Sequence, residues 1–329
     1  MNISAPASML TQAESEHLSD ESRRRFAERY LQLEQALHAL PDKPEETPNA
    51  ALRALWHLAA GTALSAAQAT ERSLPNLNSE QLATLDALIT QRLQGMPLAY
   101  ITGRQRFMNL DLLASPQALI PRRETEMLGL AALARQRELL AMNGRVRIVD
   151  VCCGSGNLAL ALAHADPRAH VHAADLSLDA LELARNNTSL LGLAPQVSFH
   201  HGDLLSPFDT PDYHGRIDMV ISAPPYISTA KVDTLPSEII GYEPTLAFDG
   251  GPFGVGILMR LMRESPALLR AGGWLGMEVG LGQGAAMLQL LRKNFEFDRV
   301  DTVCDTDGNI RVLMARRRTP ANASVSSCA

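Results

Sequence analysis

The stretch RVRIVDVCCGSGNLALALAHA, residues 145–165, decides the fold. Four of its first seven residues, Val146, Ile148, Val149 and Val151, are apolar and β-branched and the run reads as a strand, whereas LALALAHA has the length and composition of a helix. Between them lie Gly154 and Gly156. Glycines at a strand-to-helix turn let the backbone approach a ligand closely, and the helix start turns free N–H groups toward it. Asp175, in AADLS, closes the next strand about 20 residues on, where a carboxylate accepts both hydroxyls of a ribose.

The same alternation continues outward. SLDALELARNNTSLLG, PALLRA and AAMLQLLRKN read as helices, and AHVHAADL, QVSFHHGD, RIDMVIS, GGWLGMEVG and NIRVLMARR as strands. This grammar implies parallel βαβ units in a doubly wound, Rossmann-like sheet with a crevice at the carboxyl ends of the strands. Toward the N-terminus it changes. LAYITG, RFMNLDLLAS and ALIPRRETEML read as short β-type runs, and residues 1–95 as a small helical bundle. One helix carries Phe26, Tyr30, Leu33, Leu37 and Leu40 at helical spacing and ends at Pro41. DKPEETPN is a polar linker, a second helix runs through Leu52, Leu55, Trp56 and Ala59 to Gly61, and a third from Asn78 or Ser79 to Gly95. The expected division is residues 1–95 extension and bundle, 96–125 β-type linker, 126–316 cofactor-binding domain and 317–329 polar tail.

Composition excludes several classes. The chain has 329 residues, 46% apolar and 5% aromatic, with a formal net charge of −6, which argues against a dedicated nucleic-acid surface. No apolar run approaches the ~18–20 residues that span a bilayer, and the N-terminus lacks a basic segment followed by an apolar one, so a cytoplasmic protein without a membrane partner is expected. Four cysteines, of which only Cys152 and Cys153 are adjacent, form neither a metal-ligand spacing nor a disulfide framework.

Two nucleotide cofactors suit the glycine turn. Gly154-x-Gly156-x-x-Ala159 satisfies the permissive dinucleotide fingerprint, so NAD is one. Against it, Asp150 closes the strand just before the loop, where a dinucleotide enzyme must admit a pyrophosphate. A carboxylate there suits a ligand with a cationic amino-acid end, S-adenosylmethionine (SAM), and Gly202-Asp203-Leu204 adds a polar group suited to the adenine amine. SAM is therefore the expected cofactor.

After the strand Ile217–Ile221 comes Ser222-Ala223-Pro224-Pro225-Tyr226. Consecutive prolines donate no backbone hydrogen bonds, and their rigid turn presents an aromatic ring at the crevice. This resembles the N-P-P-Y signature of amino-group methyltransferases, with Ala223 in the asparagine's place. Pro97–Gly103, Phe107, Leu119–Glu126, the DVCCGSG loop, Tyr242-Glu243-Pro244, Asp249-Gly250-Gly251 and Glu278-Val279-Gly280 follow the order seen in the HemK/PrmC family of protein-(glutamine N5) methyltransferases. The likeness covers roughly residues 50–316, and the first ~45 residues look like an added extension. It implies a seven-stranded, class I SAM-methyltransferase domain behind a small helical domain. It also implies a site in which Asp150, Cys152, Gly154, Gly156, Asn157, Asp175, Leu176, Asp203, Leu204 and Ser222 hold the cofactor, while Ala223, Pro224, Tyr226 and Phe107 face the acceptor. Glu243 is expected on a loop covering the pocket.

A carboxamide nitrogen is a poor nucleophile because its lone pair is delocalised. The resemblance implies that the family holds this NH₂ with two acceptors, the asparagine side chain and the first proline's carbonyl. Ala223 supplies no acceptor, and losing such a transition-state contact costs ~2.7–4 kcal/mol, about 10²–10³ in rate. Ala223 is then an engineered inactivating change, or natural in a member that methylates a better nucleophile, or the mark of a member that transfers no methyl. In the last case SAM itself is cyclised to azetidine-2-carboxylate and methylthioadenosine, with Tyr226 steadying the sulfonium. The expected reading is a SAM enzyme diverged toward a small-molecule substrate. Cyclisation of SAM alone and release-factor glutamine methylation are the alternatives.

Overall fold

The computed structural model describes residues 10–37 and 43–319. The N-terminal nine residues, Leu40, Pro41 and the tail from Pro320, Cys328 included, lie outside the described residues. In chain order the elements are α1 (Gln12–His17), α2 (Asp20–Ala36), α3 (Pro48–Ala59), α4 (Ala66–Thr70), α5 (Ser79–Leu93), α6 (Leu98–Thr102), β1 (Arg104–Phe107) and β2 (Leu110–Leu113). There follow α7 (Thr125–Asn143), β3 (Val146–Val151), α8 (Asn157–Ala165), β4 (Ala169–Asp175), α9 (Leu178–Leu191), β5 (Val197–His201), β6 (Ile217–Ser222), α10 (Thr229–Val232) and α11 (Ser237–Tyr242). The last are α12 (Gly256–Leu268), β7 (Leu269–Glu278), α13 (Gly284–Lys293), β8 (Phe297–Cys304) and β9 (Ile310–Arg317).

The chain divides into two compact units. The first holds everything up to Pro116 together with Ile120–Arg123 and the later segment Pro236–Glu243; the remainder forms the second. In the first unit, helix starts are set by side chains. Thr11 and Asn78 each cap a helix reciprocally with the third residue on, Glu14 and Gln81. The apolar stripe of α2 is buried at Phe26 and Leu33, and the Phe26 ring meets Trp56 edge-on at 5.6 Å. The N-terminal segment is thus part of the first unit's core, not an appendage to it. The DKPEETPN stretch also departs from expectation, since Lys43 and Glu46 are buried there and Pro48 already opens α3.

LAYITG forms no strand. Pro97 opens and Gly103, at φ +67°, closes the one-turn helix α6. RFMNLDLL does form the hairpin β1–β2. ALIPRRETEML contributes only the start of α7, and PALLRA is split, because α12 begins ten residues earlier, at Gly256, and hands over to β7 at Leu269.

The second unit is a seven-stranded sheet in the order β5-β4-β3-β6-β7-β9-β8, all parallel except β9, which runs antiparallel to both β7 and β8. The central strand β3 is buried over nearly its whole length, which explains its β-branched residues Val146, Ile148, Val149 and Val151. α8 is apolar on all sides and accordingly buried from Leu158 to Ala163. β8 escaped the sequence reading: it is an edge strand, and most of its side chains face solvent. Arg316, Arg317 and Arg318 form neither a basic patch nor a frayed end, because they pair with Asp298, Glu296 and the carbonyls of Phe295 and Phe297. Strand order reverses between β4 and β6 on either side of β3, and this switch point opens a crevice at the carboxyl ends.

Candidate functional site

Two loops start side by side at that switch point. β3 and β6 pair in parallel with Val151 opposite Ser222, so the glycine turn after one and the proline turn after the other leave the sheet at the same level. The Ser222 hydroxyl, fully buried, donates to the Val151 carbonyl at 2.8 Å and ties the two strand ends.

In the first loop Cys152 takes a positive φ of 59° and Gly154 one of 52°. A Cβ on Gly154 would meet nothing, so its backbone borders open space, whereas at Gly156 a Cβ would come within 3.2 Å of Ala184 in α9. Gly156 is therefore required for packing, and Gly154 lies on the open side. Asp175 braces this loop, accepting the Gly154 N–H at 2.8 Å through Oδ2 and the Ser177 N–H at 2.9 Å through Oδ1. Asp150 is completely buried. Its Oδ2 accepts the Ala159 N–H at 3.0 Å, and its Oδ1 has no partner. Burial pushes this carboxyl up to about 8, the Ala159 N–H lowers it and the Asp175 charge raises it. A buried, orphaned carboxylate oxygen beside a glycine turn is the complement of a cationic ligand group, and the donor set present fits the amino-acid end of SAM.

The remaining cofactor candidates are placed as follows. Asn157 opens α8, half-buried; Leu176 is exposed, and its carbonyl lies 3.1 Å from His201 Nε2. Asp203 is ion-paired with Arg260 at 2.9 Å, and Leu204, at φ +49°, turns its side chain into the core. Burial raises both the Cys152 and Cys153 thiols, and Cys153 packs inside. His200 stacks edge-on against Phe208 at 5.0 Å and shares Ser198 with His172. Among the described residues no group of acidic, His and Cys side chains is arranged to hold a metal ion.

The second loop is held far more firmly than its sequence suggests. Pro224 is buried, and among the described residues no N–H donates to its carbonyl. The Tyr226 hydroxyl donates to Glu278 Oε1 at 3.1 Å and receives Arg311 Nη2 at 3.4 Å, while Thr125 donates to Glu278 Oε2 at 2.7 Å. Burial raises the Glu278 carboxyl against the pull of these donors and the Arg311 charge. Glycines line the other side. A Cβ on Gly250 would sit 2.7 Å from the Pro225 carbonyl oxygen and one on Gly280 2.8 Å from the Tyr226 ring, while one on Gly254 would collide with the Tyr226 carbonyl. The DGG and EVG motifs therefore make a seat for the proline turn. Glu278 belongs to a motif already quoted from the sequence, whereas Arg311 and Gln283, which hold the same turn, were not singled out there.

Two further residues of the sequence analysis belong to the first unit. Phe107 is buried at the end of β1. Glu243 is buried within the first unit, paired with Arg122 at 2.6 Å and accepting the Ile120 N–H at 3.1 Å.

A Rossmann-like seven-stranded sheet with an acidic-flanked glycine turn and a proline–tyrosine turn at adjacent strand ends defines a class I SAM-dependent methyltransferase, with SAM as its cofactor. Residues 136–313 match the methyltransferase small domain and residues 32–103 the PrmC N-terminal domain. The chain is 40% identical over 231 residues to a release factor glutamine methyltransferase of Moorella thermoacetica, covering 70% of this chain and 78% of that one. It is 34% identical to the protein of that name from Geobacter sulfurreducens, covering 82% and 90%, and 39% identical to that from Xylella fastidiosa, covering 71% and 81%. The chain belongs to the HemK/PrmC family of methyltransferases. Among solved structures the hMettl16 catalytic domain, crystallised with an RNA hairpin, shares the fold at a TM-score of 0.50 and 15% identity, over 69% of this chain and 81% of that one. No helix among the described residues is long and apolar enough to cross a membrane.

Proposed function

We propose that the protein transfers a methyl group to the side-chain nitrogen of a glutamine in a peptide-chain release factor, in the cytoplasm. The observation that carries this reading is the similarity, at 40% identity over 78% of its length, to a relative bearing that activity in its name. The geometry supports this, since the buried Pro224 carbonyl, on the strand end beside the cofactor turn, receives no N–H among the described residues. SAM supplies the methyl group. Asp150 and the turn at Gly154 hold its amino-acid end and Asp175 a ribose hydroxyl, with Leu176, Asp203 and Leu204 at the adenine end. The Pro224 carbonyl would take one N–H of the carboxamide and orient the nitrogen in part, and one nitrogen proton is lost to solvent as the methyl group arrives. Ala223 offers nothing to the second N–H, so the reaction runs slowly.

Ala223 also favours a second reading, a shift toward a small molecule whose nucleophile needs no such orientation, or toward cyclisation of SAM alone. One experiment separates them. The protein and its Ala223→Asn variant are incubated with SAM, with and without a release-factor fragment containing Gly-Gly-Gln, and the products are read by mass spectrometry. Fragment-dependent S-adenosylhomocysteine that rises about 10²–10³-fold in the variant supports glutamine transfer. Methylthioadenosine formed without any acceptor supports cyclisation and sinks the glutamine reading, as does an unmethylated fragment in both proteins.

A further inference from the structure

Gln283 stands just before α13, where a side chain ordinarily caps the helix by accepting one of its first N–H groups. It makes no such bond. Its side chain turns back instead, and Nε2 donates to the Tyr226 carbonyl at 2.8 Å and to the Gly254 carbonyl at 3.2 Å, while Oε1 accepts the Gly280 N–H at 2.9 Å. The neighbours leave one orientation of the amide, because two are carbonyls and the third is an N–H. Three separate loops, the proline turn after β6, the glycine bend at 250–254 and the turn after β7, are thus stitched by a single side chain. Two of them already touch, since Ile227 and Asp249 form a bridge in which the Ile227 N–H donates to Phe248 and the Gly250 N–H to Ile227. Tyr226 is anchored at its other end by Glu278 and Arg311. With the carbonyl of Tyr226 held, the turn that begins at Ala223 has both ends fixed, one by strand β6 and one by Gln283.

We propose that Gln283 is a positioning residue for methyl transfer, fixing the Pro224–Tyr226 turn so that the Pro224 carbonyl meets the acceptor nitrogen in one orientation. This rests on the reading that the turn receives the acceptor. Gln283 touches neither cofactor turn nor acceptor itself. It acts through backbone, and only an amide supplies the donor pair and the acceptor together.

The test uses the full chain with SAM bound and two variants. Gln283→Met keeps the volume and removes all three bonds; Gln283→Glu keeps the acceptor for Gly280 and replaces the donor with a charge facing two carbonyls. Hydrogen exchange read by mass spectrometry should quicken at least about tenfold in peptides spanning 224–229 and 249–256 in both variants, with β3 peptides and SAM affinity at wild-type values. On the release-factor fragment, kcat should fall about 10- to 100-fold with KM changed less than about threefold, and the gain from Ala223→Asn should shrink below about tenfold in the Gln283→Met background. Unchanged exchange in both peptides overturns the proposal, and so does faster exchange with kcat and the Ala223→Asn gain intact. Exchange does not depend on the acceptor. If the fragment is methylated by neither the wild type nor Ala223→Asn, the glutamine reading fails while the exchange result still decides whether Gln283 holds the turn.

Discussion

At the scale of single residues, the site is built on carboxylates whose surroundings differ. Asp175 spends both oxygens on backbone N–H groups and so shapes the loop it would serve, whereas Asp150 keeps one oxygen unpartnered in a fully buried place. With its carboxyl pushed up to about 8, Asp150 is protonated in the free protein near neutrality. A cationic partner binds the ionised form, so binding releases a proton and tightens as pH rises. Calorimetry should find SAM affinity increasing about 20- to 30-fold between about pH 6 and pH 7.5, and Asp150→Asn should bind more weakly with that pH dependence gone. An equal slope in the variant removes Asp150 from the role. Asp150, Gly154 and Pro224 were legible in the sequence because residue type and position at a strand end together carry the chemistry. Gln283 was not, since two of its three partners, Gly254 and Tyr226, lie 29 and 57 residues away and no spacing along the chain encodes them.

At the scale of elements, the alternation of strands and helices was readable wherever each buried its own apolar pattern, as in β3, α8 and β4. It failed where context overrode composition. LAYIT has the residues of a strand, yet Pro97 and Gly103 close it into a helical turn; β8 is an edge, and half of its residues are polar, at positions open or partly open to water. The glycine seat is the element most sensitive to change. Gly254 combines φ +69° with direct contact to the Tyr226 carbonyl, so Gly254→Ala adds overpacking, worth ~1–3 kcal/mol, to left-handed strain of ~1 kcal/mol. The expected outcome is a melting temperature lowered by several degrees and methyl transfer reduced more than about 10²-fold, with SAM affinity within about twofold of wild type. Weakened SAM binding in parallel with lost transfer would contradict the seat's specific role. Gly144→Ala, at a helix end where a Cβ meets nothing, is the control for strain alone.

At the scale of the molecule, the first unit carries a buried charge cluster. Lys43 and Arg92 both hold Glu238, at 2.9 and 2.8 Å, and Lys43 lies 3.7 Å from Glu243. Beside them burial pushes Glu46 up from 4.5 to about 7, offset by the Lys43 and Arg92 charges and reinforced by Glu238 and Glu45. The folded state therefore holds a proton that the unfolded chain has lost between those two values. Stability contributed by the protonated carboxyl is complete below about pH 4.5 and is lost as pH rises through about 7, amounting to ~2–3 kcal/mol. Urea unfolding at about pH 5 and pH 7.5 should show this fall, and Glu46→Gln should flatten it; an unchanged slope in the variant assigns the dependence to another group.

Glu238 and Glu243, partners of Lys43 and Arg92, lie in Pro236–Glu243, a segment the chain reaches only after building β3 to β6 of the other unit. This sets an order on synthesis. A growing chain has made every helix before β1 while Glu238 and Glu243 are still untranslated, and of the carboxylates paired with Lys43 and Arg92 only Glu46, 3.5 Å from Arg92, lies in that first stretch. The first unit to be made is therefore completed only by a segment made after β6, and its last ion pairs form late in synthesis.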